Sequence, residues 1–237
     1  MSNAHNPIKL FETVADQCPY LDDEKSASIL VDPDHVVEPK LFSLLSQSGF
    51  RRSGNMLYSP QCPSCKSCVS VRIPIANFNI SRSQRRVWKK NIDLSVSIEN
   101  VTFKEEHFQL YLRYQKARHL GSSMCNDDPE KYINFITADY SRSKLLCFYE
   151  SDKLIGISVL DQFEQGLSAV YTFFEPEQDK RSIGTFAILY LIKLAKMRKV
   201  PFVYLGYWVD RSQKMSYKRK FKPLQGYINR SWVSLFD

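Results

Sequence analysis

Between Lys144 and Gly206 the hydrophobic positions change period in an ordered way. Lys144 to Glu150, Leu154 to Gln162 and Leu167 to Phe174 are apolar runs of strand length. Ser151-Asp152-Lys153 and Glu164-Gln165-Gly166 separate them as turn sequences, so three consecutive antiparallel strands are predicted. The period then becomes helical: Ile183, Phe186, Ala187, Tyr190, Leu191 and Leu194 share one face and predict a long helix from about Ser182 to Arg198. Phe202 to Gly206 follows as a short buried strand. Upstream, Phe108, Leu110, Tyr111, Leu112, Tyr114 and Ala117 predict a helix over His107 to His119, and a second helix is expected over Asp128 to Ile136. In the first hundred residues the pattern gives a short helix over Phe42 to Gly49, ended by the glycine. Strands at Met56 to Tyr58 and Val69 to Ile75 bracket a cysteine-rich loop.

The order strand, strand, strand, helix, strand, with helices leading in, is that of an acetyltransferase-like sheet, in which the helix and last strand pack behind a splayed antiparallel meander. The expected fold class is therefore α+β. A GNAT-like mixed sheet with helices is assigned to residues 101–237, and a smaller cysteine-containing N-terminal α/β domain to residues 1–100. The change of pattern alone sets that boundary.

Composition narrows the field. The 237 residues are 43% hydrophobic and 24% charged, with 8 Gly and 11 Pro, which is globular and neither disordered nor fibrous. The longest apolar run, Ile183 to Ile192, is too short to span a bilayer, so no membrane role is expected. Met1 to Leu10 lacks the features of a secretory signal, and the expectation is a cytoplasmic protein with reduced thiols. Net charge is +8, and the excess is concentrated. Glu12 to Glu38 holds eight acids against Lys25 alone, whereas Ser81 to Lys90 and Arg211 to Lys222 carry five and six bases with no acid.

Three segments offer chemistry. Cys62-Pro-Ser-Cys65-Lys-Ser-Cys68 is a double CxxC step. With Cys18 as a fourth thiolate it suits zinc or an iron–sulfur cluster equally, the alternative being reduced thiols in a tight loop. The two basic clusters interleave guanidinium and ammonium groups with Trp88, Tyr217 and Phe221. Each alone reads as a solvated face; two in one cationic chain favour RNA, with no DNA expected. Arg181-Ser-Ile-Gly184 is similar to the pyrophosphate-binding turn of acyl-CoA-dependent N-acetyltransferases, with Phe186 at a position that family keeps small. Catalytic triads are hard to assemble. His5 and His35 sit in the acidic region, His107 and His119 read as surface or core residues, and Cys125 and Cys147 as core or helix-start residues. No HExxH, GxSxG or P-loop pattern occurs.

Taken in order, Cys18-Pro-Tyr-Leu21, Gly49-Phe-Arg51-Arg52-Ser53-Gly54, Tyr58-x-Pro60-x-Cys62-xx-Cys65-xx-Cys68, Arg72, Ser81-x-Ser83-Gln84-Arg85-Arg86 and Asn91 resemble the N-terminal half of the arginyl-tRNA–protein transferase family. Its C-terminal half is matched by Leu110-Tyr111-x-Arg113-Tyr114-Gln115-xx-Arg118-His119, Leu167 to Pro176, Tyr204-Leu-Gly206-Tyr207-Trp208 and Lys214-Met215-x-Tyr217-Lys218-xx-Phe221-x-Pro223. The CxxCxxC spacing and short length resemble the bacterial, leucine-transferring branch. The resemblance implies an acyl transfer without coenzyme A. Leucine passes from leucyl-tRNA to the α-amine of proteins beginning with Asp or Glu and marks them for degradation by the N-end rule.

Such a reaction explains the missing triad. The aminoacyl ester is already activated, and an α-amine with a pKa near 7.7 to 8.0 is partly neutral at pH 7. No cofactor is required for the chemistry. Asp161, at the end of the second strand, is a candidate to accept a proton from or orient the ammonium, against the alternative of a surface carboxylate. Tyr171 and Tyr207 are candidates to line the ester site, against plain core packing. Arg51, Arg52, Lys214 and Lys218 are candidates to hold the acidic side chain, and Arg85, Arg86, Lys89 and Arg219 to meet tRNA phosphates. Two rival readings remain at this point: an acyl-CoA-dependent N-acetyltransferase, and a non-enzymatic RNA-binding protein with a structural metal.

Overall fold

The computed structural model describes residues 7–118 and 127–236. The expected helix end at His119 and the readings of His5, His119 and Cys125 fall outside those residues. In chain order the elements are β1 (Leu10–Glu12), β2 (Asp16–Gln17), β3 (Lys25–Ser26), β4 (Ser28–Val31), α1 (Pro39–Gln47), β5 (Arg51–Ser53), β6 (Met56–Pro60), β7 (Cys68–Pro74), α2 (Arg82–Lys90), β8 (Ser95–Asn100), α3 (Glu105–Arg118) and α4 (Pro129–Ile136). They continue with β9 (Lys144–Glu150), β10 (Lys153–Phe163), β11 (Gly166–Phe174), α5 (Ile183–Met197), β12 (Phe202–Val209), a 3₁₀ segment (Gln213–Lys220), β13 (Leu224–Ile228) and β14 (Ser231–Leu235).

Local chemistry explains the helix starts. Ser81 accepts from the Gln84 backbone N–H at 3.3 Å while the Gln84 side chain accepts from the Ser81 N–H at 2.9 Å, a reciprocal capping box that starts α2. Asp128 caps α4 with Pro129 in its first turn. The strand expectations over Lys144 to Phe174 and the long helix hold to within a residue or two. The basic run from Ser81 to Lys90, read as a charge cluster, is a helix. The C-terminal hairpin of β13 and β14 had no counterpart in the sequence reading.

Eight strands form one sheet in the order β14-β13-β7-β12-β11-β10-β9-β8. Strand β11 runs parallel to β12 for three residue pairs, from Gly166↔Phe202 to Ser168↔Tyr204. Beyond Tyr204, β12 keeps β7 as its partner, from Gly206↔Val71 to Val209↔Cys68, and no longer pairs with β11. This parting of two parallel strands behind a meander is the acetyltransferase-like arrangement that the strand order predicts. Both sheet faces are covered. On one, α5 packs Ile183, Phe186 and Leu191 against Val71, Phe148 and Val203; on the other, α3 and α4 bring Phe108, Tyr111 and Tyr132 onto Leu145, Ile157 and Phe173. Burial on both faces accounts for the near-continuous apolar runs in β9 and β10.

The expected boundary near residue 100 runs through this sheet. Strand β7 is hydrogen-bonded between β12 and β13, and β8 pairs with β9, so strands from both sides of that point share one ladder. A second, four-stranded sheet, β1-β4-β6-β5, is built entirely from earlier residues. No helix among the described residues is long and apolar enough to cross a membrane.

Candidate active site

The parting of β11 and β12 opens next to two buried cations. Arg51, the first residue of β5, is 7% exposed and donates from Nη1 to Ser168 Oγ at 3.0 Å and from Nη2 to the Val71 carbonyl at 3.4 Å. Its Nε finds no partner, and its guanidinium stands 5.5 Å from the centre of the Tyr204 ring. Lys218, from the 3₁₀ segment, is 4% exposed and donates from Nζ to the Tyr207 carbonyl. Gly206 stands beside it at φ +77°, the left-handed region that favours glycine; a β-carbon there would only touch Lys218 Nζ, at 3.8 Å. Among the described residues neither cation forms an ion pair with a carboxylate.

Burial holds both groups below their usual pKa. For Arg51 the loss of water is opposed by Tyr207, Tyr204, Tyr58 and Asp161. For Lys218 the loss of water is reinforced by the charge of Arg51 and opposed by Cys68, and the ammonium is brought down to about 7. Two buried like charges with no counter-ion form a site that an anion would complete.

The neighbouring residues meet a different fate. Because side chains alternate along a strand, Arg52 leaves the opposite side of β5 and forms a fork with Asp161, Nε to Oδ2 at 2.6 Å and Nη2 to Oδ1 at 2.9 Å. Its remaining donors reach the carbonyls of Phe135, Ile136 and Thr137, closing the C-terminal end of α4. Asp161 also accepts from Ser141 and Ser143 at 2.6 and 2.7 Å and is 1% exposed. It is therefore no surface carboxylate, and its lone pairs are spent on groups of the protein. Arg52 and Asp161 hold β5, α4 and β10 together; the cation next to the opening is Arg51.

Tyr207 donates its hydroxyl to the Gly49 carbonyl at 2.9 Å, with the Tyr58 carbonyl at 3.1 Å, which pins the α1–β5 turn and β6 to β12. Burial drives its pKa upward, so the hydroxyl stays protonated and in place. Its carbonyl rather than its hydroxyl faces the site, where it receives Lys218. Tyr171 lies apart from these, on the α3 and α4 side of the sheet. Gln115 donates to its hydroxyl at 3.1 Å, and Tyr114 and Phe135 contact its ring edge-on. Lys214 is exposed on the surface of the 3₁₀ segment.

A family model described as arginine-tRNA-protein transferase, N terminus, matches residues 16–86, and its C-terminus counterpart matches residues 106–228. An aspartate/glutamate leucyltransferase of Hahella chejuensis (strain KCTC 2396) is 41% identical over 99% of this chain and 100% of its own. One of Nitrosococcus oceani (strain ATCC 19707) is 43% identical over 92% of each. The chain belongs to the arginine-tRNA-protein transferase family. Among solved structures, that of L-PGS from Bacillus licheniformis aligns with a TM-score of 0.48 at 12% identity, over 73% of this chain and 51% of that one. A tandem GNAT protein from the clavulanic acid biosynthesis pathway aligns with a TM-score of 0.39 at 9% identity, over 88% and 58%.

The two parts of the transferase family's sequence meet at the opening, Arg51 coming from the N-terminal match and Lys218 from the C-terminal one. They also meet on the surface. In α2, Arg82, Arg85, Arg86 and Lys89 are exposed and line one shallow hollow, and Gln84 beneath them donates to the Lys220 carbonyl at 2.9 Å. The two basic clusters are thereby joined into one cationic face that includes exposed Arg219, whose guanidinium lies 4.6 Å from the centre of the Phe236 ring. Trp88 faces inward instead, 5.4 Å from Phe186 and stacked on Tyr190, so it is core and not a base-stacking platform. Arg211 leaves the cluster to pair with Asp23 and Glu24 of the acidic segment. The acetyltransferase-like turn is occupied as well: Arg181 is paired with Asp93 and Glu150.

Cys18, Cys65 and Cys68 pack together with Val209 and Met215, and Cys62 donates to the Ala27 carbonyl at 3.7 Å. Burial, then the fields of Cys62, Cys18 and Cys65, push the Cys68 thiol up to about 12, with Lys218 opposing. The donors have the softness zinc or an iron–sulfur cluster requires. Among the described residues no three of these sulfurs come within 4.8 Å of one another, so as they stand they do not form a closed coordination site. Among the described residues the group that meets that distance is Glu99, His107 and Cys147, a set without a spacing signal in the sequence, where His107 and Cys147 read as core or surface residues.

Proposed function

We propose that this chain is an aminoacyltransferase that moves leucine from leucyl-tRNA to the α-amine of proteins beginning with Asp or Glu, creating an N-degron for the N-end rule pathway. The observation that carries this reading is the pair of buried, carboxylate-free cations Arg51 and Lys218 beside the parting of β11 and β12. An acidic first side chain supplies the missing negative charge beside two cations shielded from water, and an uncharged or basic one leaves them uncompensated, which is a basis for selecting Asp and Glu. The exposed face of Arg82, Arg85, Arg86, Lys89 and Arg219 supplies cations for tRNA phosphates.

In the reaction the α-amine nitrogen bonds to the leucyl carbonyl carbon. The ester bond to the terminal ribose breaks, and the proton lost by the amine ends on the departing ribose hydroxyl. The carbonyl is already activated as an ester, so the protein's contribution is placement. Holding amine and ester in attack geometry is worth roughly 7 to 11 kcal/mol. Arg51 and Lys218 anchor the acceptor by its side-chain carboxylate, whose carbon is three bonds (Asp) or four (Glu) from the reacting amine. Tyr207 and the Arg52–Asp161 fork act as positioning residues that keep β5, β10 and β12 in register around it.

The test is transfer of labelled leucine from its tRNA to peptides differing only in an N-terminal Asp, Glu, Lys or Ala. Transfer confined to the acidic pair is the expected result. Absence of transfer to either acidic peptide, or equal transfer to all four, overturns the reading.

A further inference from the structure

Edge strand β8 and its neighbour β9 place Ser97 opposite Cys147, so Glu99, two residues along, shares a sheet face with Cys147. The first turn of α3 lies over that face and points His107 into it. The imidazole is 1% exposed, and neither Nδ1 nor Nε2 has a hydrogen-bond partner. A buried polar group left unpaired costs about 1 to 3 kcal/mol, and here two ring nitrogens are left so. Cys147 is fully buried, and its sulfur, one imidazole nitrogen and one Glu99 oxygen lie within 4.8 Å of one another.

We infer that Glu99, His107 and Cys147 form a mononuclear zinc site that fastens the start of α3 to the edge of the large sheet. The donor set decides the metal class: a thiolate and an imidazole select zinc over the hard cations, and one carboxylate with one thiolate neutralises a divalent ion without a buried excess of charge. The geometry is close to what is needed. His107 Nε2 and Glu99 Oε2 are 4.0 Å apart. Bonds of about 2.0 to 2.3 Å in a tetrahedron require edges near 3.3 to 3.7 Å, so the His107–Glu99 pair closes by a few tenths of an ångström and the Cys147 sulfur, within 4.8 Å of both, by at most about 1.5 Å.

The outer shell is present. Ser97 and Tyr149 donate to Glu99 Oε1 at 2.8 and 3.2 Å, which orients the carboxylate and turns Oε2 towards His107. Lys104, now 2.6 Å from Oε2, is a half-exposed side chain free to swing into solvent, and its departure together with partly exposed Glu99 opens the entry path and the fourth position for water. Binding replaces the Cys147 thiol proton, which leaves to solvent.

The test uses the full chain carrying C62S, C65S and C68S, so that the cysteine loop cannot contribute. Equilibrated with buffered zinc and freed of excess, it is expected to hold about one metal per chain. Glu99→Gln should weaken retention at least ~10-fold, and Cys147→Ser should abolish both retention and the thiolate-to-metal charge-transfer band seen with cobalt. A chain that holds no zinc at micromolar free metal, or holds it equally with Glu99→Gln, overturns the assignment. Where Cys147→Ser does not fold, Glu99→Gln decides alone, because Glu99 is partly exposed on an edge strand.

Discussion

Replacing Lys218 by methionine should make the protein more stable and less active. The ammonium is buried without a carboxylate, and its pKa stands at about 7 against an ordinary 10.5. At about 1.4 kcal/mol per pKa unit, keeping this residue inside costs on the order of 4 kcal/mol at pH 7, and the hydrogen bond to Tyr207 returns about 1 kcal/mol of that. A methionine of similar length carries no such cost, so a gain of roughly 2 to 4 kcal/mol is expected, or about 4 to 12 °C in Tm for a chain of this size. The sign of the pH dependence is specific. The folded pKa lies below the unfolded one, so between pH 7 and 10.5 the unfolded chain binds the extra proton and wild-type stability rises with pH. The gap between Lys218→Met and wild type should therefore be widest near pH 7 and shrink to about half by pH 9. Differential scanning fluorimetry across that range reads the stability, and leucine transfer to an Asp-initiated peptide reads the function. A variant with lower Tm at pH 7, a gap that does not narrow, or unchanged transfer refutes the view that Lys218 is an uncompensated cation awaiting an acidic ligand.

Four further outcomes follow from the same geometry. Arg51→Met should lower kcat/KM for Asp and Glu peptides by about 30- to 1000-fold, the ~2 to 4 kcal/mol of a buried charge-assisted contact, and leave tRNA affinity unchanged in a filter-binding assay. Because a bound carboxylate raises the Lys218 pKa from about 7, acceptor binding takes up a proton near neutrality; KM for the acidic peptide should climb between pH 7 and 9, and Lys218→Arg should flatten that climb. Removing Arg85, Arg86 and Lys89 one at a time should each reduce the slope of log affinity for tRNA against log salt by about 0.7 to 0.9 without changing the peptide KM. Arg52→Met strands the Asp161 carboxylate and should cost about 3 to 5 kcal/mol in urea denaturation, most of it recovered when Asp161→Leu is added.

The meander, the long helix and the family were legible because they rest on local periodicity and on residues at fixed spacing. The roles of particular charged residues were not. Arg51 and Arg52 are adjacent in sequence and chemically identical, yet strand alternation sends one to the opening and the other to Asp161. Asp161, placed near a turn by the pattern, is enclosed by Ser141, Ser143 and Arg52, which approach it from two other segments. The ladder that crosses the expected division at residue 100 leaves no local trace, because nothing in the β7 sequence marks its place between β12 and β13. The Glu99, His107 and Cys147 group carries no spacing signature, since its members come from two strands and a helix.

Local pattern and residue spacing set the period of each main element, the family, and the stock of cations available to bind an acid and an RNA. Tertiary structure alone decided that Gln84 would join two basic runs more than a hundred residues apart, and that Arg52 would be neutralised while Arg51 and Lys218 would not. The reason is that burial and charge pairing depend on distance through space and on lost water, and neither is a function of separation along the chain.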